Sequence, residues 1–246
     1  METPRAPWGT SESEHTTISG SYIKGVIFDF DGLIVDTNAL WTEAEHACFT
    51  AVGVYVTPDQ QQLTESMTTR QVASHWYKYQ PWRGRSVEKL ELDVIEYVRR
   101  ELASGARTMP GAIDVIRWCC AQGYRIGLAT NAPREVCEPT LEQLGVHDQF
   151  DAIVTEADVR NGKPHPAVYR ACVEKLNLRP HEAIAFEDSP TGALAAVRAG
   201  VTVIGVPSMR AYEPELNTLC HRVLPNMDSA DSRFFKTFAK HGIAEH

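Results

Sequence analysis

The stretch Val26-Ile27-Phe28-Asp29-Phe30-Asp31-Gly32 decides the fold, because an apolar run ends abruptly in two carboxylates and a glycine. Val26-Ile27-Phe28 has the β-branched and aromatic character of a buried strand, and Asp29 and Asp31 stand at its mouth. Charge is costly there. Side chains two apart on a strand share a face, so Asp29 and Asp31 are expected to crowd together unless a cation or a reacting group relieves the repulsion. A polar turn with both carboxylates in water is the other reading of the isolated tetrapeptide. A calcium-binding loop is excluded: Gly32 comes fourth rather than sixth, and Leu33 stands where calcium needs a side-chain oxygen.

Outward from this stretch, short apolar strand candidates alternate with helix-length segments. The strands are Ile23 to Phe28, Arg125 to Ala129, Ala152 to Val154, Ala183 to Phe186 and Val201 to Val206. This is the rhythm of βαβ units around a parallel sheet. Helix starts and stops are marked, with Ser189 as N-cap, Pro190 in the first turn and Gly200 closing the run Ala193 to Ala199. Similar marks bound Pro166 to Asn177. Between Asp36 and Pro110 the alternation stops and only helices are expected, at Ala39 to Ala51, Thr69 to Tyr79 and Val87 to Leu102. They form a helical insertion that returns through Ser104-Gly105-Ala106-Arg107, a small and polar hinge. Ser208 to Asn217 reads as a surface loop and Ser232 to His241 as a final helix.

The 246 residues suffice for one large domain carrying an insertion. The net charge of -8 argues against nucleic acid, whose binding depends on many Lys and Arg contacts to phosphates. One small phosphate ester remains compatible, since local positive groups and a metal ion can hold it. No apolar run approaches the ~20 residues of a membrane helix, and Met1 to Gly20 lacks the apolar core of a secretory signal. That segment is rich in Ser, Thr, Glu and Pro and is expected to be a disordered tail. Six cysteines lie scattered without metal-site spacing, which fits reduced thiols and a cytoplasmic location.

Open α/β sheets bind ligands at the carboxyl ends of their strands, and polar chemistry gathers at four such ends here. Asp29 and Asp31 follow the first strand. Thr130 and Asn131 follow Gly127-Leu128-Ala129, offering a hydroxyl and an amide for an anionic oxygen, or a helix N-cap. After Ile153-Val154 the loop reaches Gly162-Lys163-Pro164-His165-Pro166, with the only lysine between Lys89 and Lys175. Glu187-Asp188-Ser189 follow Ala185-Phe186. Helix capping or solvated loops account for each motif singly. One hypothesis covers all four: carboxylates hold Mg2+, while a lysine and a hydroxyl hold a phosphoryl group. An aspartate nucleophile then forms an aspartyl-phosphate, and a second carboxylate serves as acid and base. His165 reads as structural.

In this order the four motifs resemble the haloacid dehalogenase-like hydrolase superfamily, with Asp29 to Thr37 matching its first motif nearly throughout. The resemblance spans about residues 24 to 207. It implies an α/β Rossmann-like core, a doubly wound parallel sheet formed by residues 21–36 and 106–246, with an all-helical cap at 37–105. By position it makes Asp29 the nucleophile, Asp31 the acid/base, Thr130 and Asn131 the phosphate-binding second motif and Lys163 the lysine of the third. Asp188 becomes a metal ligand, joined by Asp29, by Glu187 directly or through water, and by the Asp31 carbonyl.

The dehalogenases proper lack the aspartate found here at Asp31. The β-phosphoglucomutases carry a histidine where this chain has Trp41, which weakens a mutase reading. In the insertion, Leu40-Trp41, Trp76-Tyr77 and Gln80-Pro81-Trp82 resemble the hexitol phosphatases and 2-deoxyglucose-6-phosphatases, making Trp41, Arg70 and Trp76 candidates for substrate contact, with Lys78 and Arg83 behind them. The aromatics also suit the core of a small helical domain. The expectation is a Mg2+-dependent phosphatase of small sugar, sugar-alcohol or deoxysugar phosphates, cytoplasmic and a monomer or weak dimer. A phosphohexomutase, a metabolite-repair phosphatase of broad specificity and a non-catalytic binding module are the rivals.

Overall fold

The computed structural model describes residues 23–65 and 67–240; the tail expected at Met1 to Gly20 lies outside them. Six strands form one parallel sheet: β1 (Gly25–Phe28), β2 (Arg125–Ala129), β3 (Ala152–Val154), β4 (Ala183–Glu187), β5 (Thr202–Gly205) and β6 (Arg222–Val223). Their spatial order is β3-β2-β1-β4-β5-β6. The chain therefore winds from β1 outward to one edge, then returns past β1 and builds the other half. The reversal at β1 opens a crevice at its carboxyl end, so the sheet order places Asp29 at that crevice.

Strand register explains why the two faces differ. Val26 and Phe28 align with Ile126, Leu128, Ile184 and Phe186. These large side chains share one core with helices α5 (Ala112–Ala121), α6 (Arg134–Gln143) and α10 (Ser232–Lys240). Phe28 and Phe186 stack at 5.5 Å between ring centroids. Ile27, Ala129, Ala183 and Ala185 point to the other face, against α7 (Ala167–Lys175) and α8 (Pro190–Arg198). Small residues let these helices approach closely, and a Cβ on Gly127 would overlap Cys172 Sγ of α7. Burial on both faces explains the near-continuous apolar strands.

Between β1 and α5 lie helices α1 (Asn38–Ala51), α2 (Pro58–Gln61), α3 (Thr69–Tyr79) and α4 (Val87–Gly105). Phe49, Val54, Val72, Ala73, Trp76, Trp82 and Leu90 form a cluster of their own. Ala44 of α1 and Val94, Ile95, Val98 and Leu102 of α4 instead join the main core beside Phe30, Leu33 and Ile34. The two crossings run side by side: Asp36 N–H donates to Arg107 O at 2.9 Å and Met109 N–H to Ile34 O at 2.9 Å. Because α4 continues through Gly105, the return crossing falls at 106–109, slightly later than the hinge expected from composition.

The segment after Pro207 corrects the expectation of a loop. Ser208 to Asn217 runs into helix α9 (Glu213–Leu219), which starts with Pro214 in its first turn and buries Leu216. It leads into β6, whose two residues are too few to show a period. The final helix α10 forms as expected and buries Phe234, Phe235 and Phe238. Among the described residues no helix is long and apolar enough to cross a membrane.

Candidate active site

Asp29 sits one residue beyond β1, where its N–H extends the ladder to Phe186 O at 3.2 Å. Its Oδ1 accepts from Phe30 N–H at 2.7 Å and from Lys163 Nζ at 2.7 Å. Lys163 also donates to Glu187 Oε1 at 2.6 Å, so one ammonium bridges two carboxylates. All three groups are almost wholly buried. Burial opposes the lysine charge, but Asp29 and Glu187 outweigh it and hold the Lys163 pKa above its ordinary value.

Glu187, the last residue of β4, is fully buried. Burial, then the Asp29 charge, hold its carboxyl well above the ordinary range. The Tyr169 hydroxyl of α7 donates to the Oε1 that also receives Lys163. Oε2 has no partner. It lies against Gly192 of α8, where a Cβ would overlap it. The neighbouring Asp188 takes a hydrogen bond from Ser208 Oγ on Oδ2 at 2.5 Å, and burial followed by the Asp29 charge pushes its pKa up to about 7. Asp29, Glu187 and Asp188 offer oxygens within 4.8 Å of one another. Three buried carboxylates around one full cation, with an orphaned oxygen among them, fit a divalent cation.

Asp31 corrects the strand argument. The strand ends at Phe28 and the chain bends at Phe30, so the two-residue period stops and the Asp31 side chain turns away from that cluster. Thr37 Oγ1 donates to its Oδ1 at 2.6 Å and Trp41 Nε1 at 2.8 Å. Burial pushes its pKa up to about 6, against the lowering effect of those two bonds. Its side chain is thus no part of the acidic trio, which leaves only its carbonyl for the metal role.

The remaining candidates separate. Thr130 is buried, and its Oγ1 accepts from Ala132 N–H at 2.9 Å, which leaves its hydroxyl hydrogen available. Asn131 differs from expectation: Oδ1 accepts from Lys163 N–H at 2.8 Å and Nδ2 donates to Lys163 O at 3.2 Å. Its amide ties the third-motif loop to β2 instead of facing an anion. Trp41, expected against substrate, spends its indole N–H on Asp31. Trp76 is 4% exposed inside the helical cluster, so it is core, as is Trp82, whereas Tyr77 is exposed. Arg70 is neutralised by Glu88 and Glu91 of α4. His165 Nδ1 accepts from Ala167 N–H at 3.2 Å and caps α7, as expected of a structural residue.

Four residues escaped the sequence reading: Thr37, Tyr169, Asn38 and Ser208. Thr37 and Trp41 stand four apart on one helix face, a spacing that places both over Asp31. Tyr169 lies on the apolar face of α7 with Val168, Cys172 and Val173, where a buried hydroxyl requires a partner. Asn38 and Ser208 left no local signal, because they meet across 170 positions of chain.

A parallel α/β sheet with carboxylates and one lysine converging at the carboxyl end of its central strand defines an enzyme of phosphoryl-group chemistry. The sequence profile of the haloacid dehalogenase-like hydrolases matches residues 26–206. The chain is 32% identical to hexitol phosphatase B of Escherichia coli over 191 residues, which is 77% of this chain and 86% of that one. It is 32% identical to validoxylamine A 7'-phosphate phosphatase of Streptomyces hygroscopicus subsp. limoneus, over 77% of this chain and 88% of that one. The crystal structure of β-phosphoglucomutase from Clostridium difficile shares the fold with a TM-score of 0.77 and 19% identity, covering 88% of this chain and 97% of that one. The protein belongs to the haloacid dehalogenase-like hydrolase family, and it is a phosphoric monoester hydrolase.

Proposed function

We propose that the protein is a Mg2+-dependent phosphatase of small sugar, sugar-alcohol or deoxysugar phosphates that works through an aspartyl-phosphate on Asp29. The observation that carries this reading is the Lys163 bridge between Asp29 and Glu187, with Asp188 beside it and Asp31 held apart by its own donors. An Asp29 oxygen attacks phosphorus and the bond to the leaving oxygen breaks. Asp31 gives that oxygen a proton, then takes one from the water that hydrolyses the acyl phosphate. Lys163 and the Thr130 hydroxyl hold phosphoryl oxygens. Asp29, Asp188, the Asp31 carbonyl and Glu187 would hold Mg2+, and the chemistry it supplies is neutralisation of phosphoryl charge. Residues 37–105 act as the cap over the leaving group and exclude bulk water while the intermediate exists.

The hexitol phosphatase relative supports a phosphorylated sugar alcohol or sugar as substrate. Trp41 favours hydrolysis over mutase chemistry, since its indole only donates and stands where the mutases carry a histidine. Six unpaired cysteines support a reducing, cytoplasmic setting. The test is phosphate release with Mg2+, and with a chelator, across sugar, polyol and deoxysugar phosphates, phosphoglycolate and nucleoside monophosphates. Metal-dependent release from a hexitol or deoxyhexose phosphate is expected. Conversion of a hexose 1-phosphate to its 6-phosphate without release would overturn the reading in favour of a mutase.

A further inference from the structure

Three observations converge on the segment that follows β5. Ser208 Oγ donates to Asp188 Oδ2 at 2.5 Å, and the same oxygen accepts from Asn38 Nδ2 at 2.9 Å. Asn38 is the first residue of α1, so this chain of bonds starts in the helical insertion and ends on a carboxylate of the acidic trio. Gly32, at φ +71°, lies where the three groups meet; a Cβ there would overlap Asp188 Oδ2 and stand 3.0 Å from Asn38 Nδ2. Four residues past Ser208, the Tyr212 hydroxyl donates to Glu65 of the insertion. The segment 208–212 therefore touches the insertion twice and the acidic trio once.

We infer that Ser208 is a positioning residue for Asp188, and that Asn38 makes its hold depend on where the insertion sits. The inference rests on the metal role proposed above for Asp188. With Oδ2 held by Ser208, Oδ1 is the oxygen left to meet a cation, and the carboxylate loses rotational freedom before the cation arrives. Partners of this kind orient ligands, and their removal typically lowers metal affinity by about 10 to 100-fold. Because Asn38 moves with α1, a displaced insertion loosens Ser208 and thereby Asp188. By linkage, a bound cation then favours the position of the insertion in which Asn38 reaches Ser208.

The test is Mg2+ binding to the full chain by isothermal titration calorimetry without substrate, so it is independent of turnover. Ser208→Ala is expected to weaken binding by about 10-fold or more, while Ser208→Thr, which keeps the hydroxyl, restores it to near wild type. Asn38→Ala is expected to weaken binding by a smaller factor and to have no further effect in the Ser208→Ala background. Wild-type affinity in Ser208→Ala overturns the positioning role, and equal effects of Asn38→Ala in both backgrounds overturn the dependence on the insertion. If the wild type takes up no Mg2+, the metal reading itself falls and this inference with it.

Discussion

Replacing Lys163 by methionine keeps the length of the side chain and removes the charge that Asp29 and Glu187 share. Both ion pairs are buried, at 2.7 and 2.6 Å, and Asp188 stands close by. Removing one partner of a buried pair costs about 3–5 kcal/mol, because the charge left behind has lost its compensation. Here the cost falls on carboxylates that protonation can relieve, so it must depend on pH. Burial already raises the folded pKa of Glu187, and Lys163 works against that rise; without the lysine the pKa goes higher still. A carboxyl with a raised folded pKa destabilises the fold as pH climbs above its unfolded value of about 4.3. Lys163→Met should therefore be least stable near pH 8, by about 3–5 kcal/mol, and closer to wild type near pH 5. Urea unfolding of both proteins at the two pH values measures this, and added Mg2+ should recover part of the loss at pH 8 by supplying positive charge. Equal loss at both pH values would refute the reasoning, since it would mean that packing of the lysine stem outweighs its charge.

Asp29→Asn should abolish phosphate release while thermal unfolding stays close to wild type; turnover in that variant removes Asp29 as nucleophile. Trp41→Phe deletes a hydrogen bond to a carboxylate worth about 1.5–3 kcal/mol, and kcat should fall about 10 to 100-fold with little change in KM. Gly192→Ala places a methyl on Glu187, which Lys163 and Tyr169 hold in place; stability should fall by about 1–3 kcal/mol in spite of the better helix former. Burial pushes the Glu45 pKa from 4.5 to about 7, so its neutral form is favoured in the folded state and wild-type stability should drop as pH rises from 4.5 to 7. At 1.36 kcal/mol per unit the drop is at most about 3 kcal/mol, and Glu45→Gln should remove it in urea titrations across that range.

Five strands could be read from the sequence because strands buried on both faces are short apolar runs, and Asp29 and Asp188 could be placed because each stands just past a strand end, with Lys163 in the loop after β3. What failed were statements that needed a direction. Asp31 was read onto the same face as Asp29, which assumes the strand continues, whereas the chain bends at Phe30. Trp41 and Trp76 look alike as aromatics of a helical insertion, yet one bonds to Asp31 and the other fills the cluster around Phe49. Only the packing of α1 against the rest of the chain separates them. Arg70 looked free because its partners Glu88 and Glu91 lie on the next long helix.

The four carboxylates share one construction: protein donors reach one oxygen of each. Asp29 receives the Phe30 N–H and Lys163, Asp31 receives Thr37 and Trp41, Glu187 receives Lys163 and Tyr169, and Asp188 receives Ser208. On Glu187 the other oxygen, Oε2, has no partner among the described residues. The donors come from different regions: the strand-end loops, α7, the segment after β5 and, for Asp31, the start of the helical insertion. No single region therefore builds the site. Trp41 is the case in which this matters most, because it belongs to α1 while the carboxylate it holds lies in the loop after β1. A variant chain with 38–105 replaced by a short linker would lose both the Trp41 donor to Asp31 and the Asn38 donor to Ser208. The insertion thus contributes a donor to Asp31, the residue proposed as acid and base.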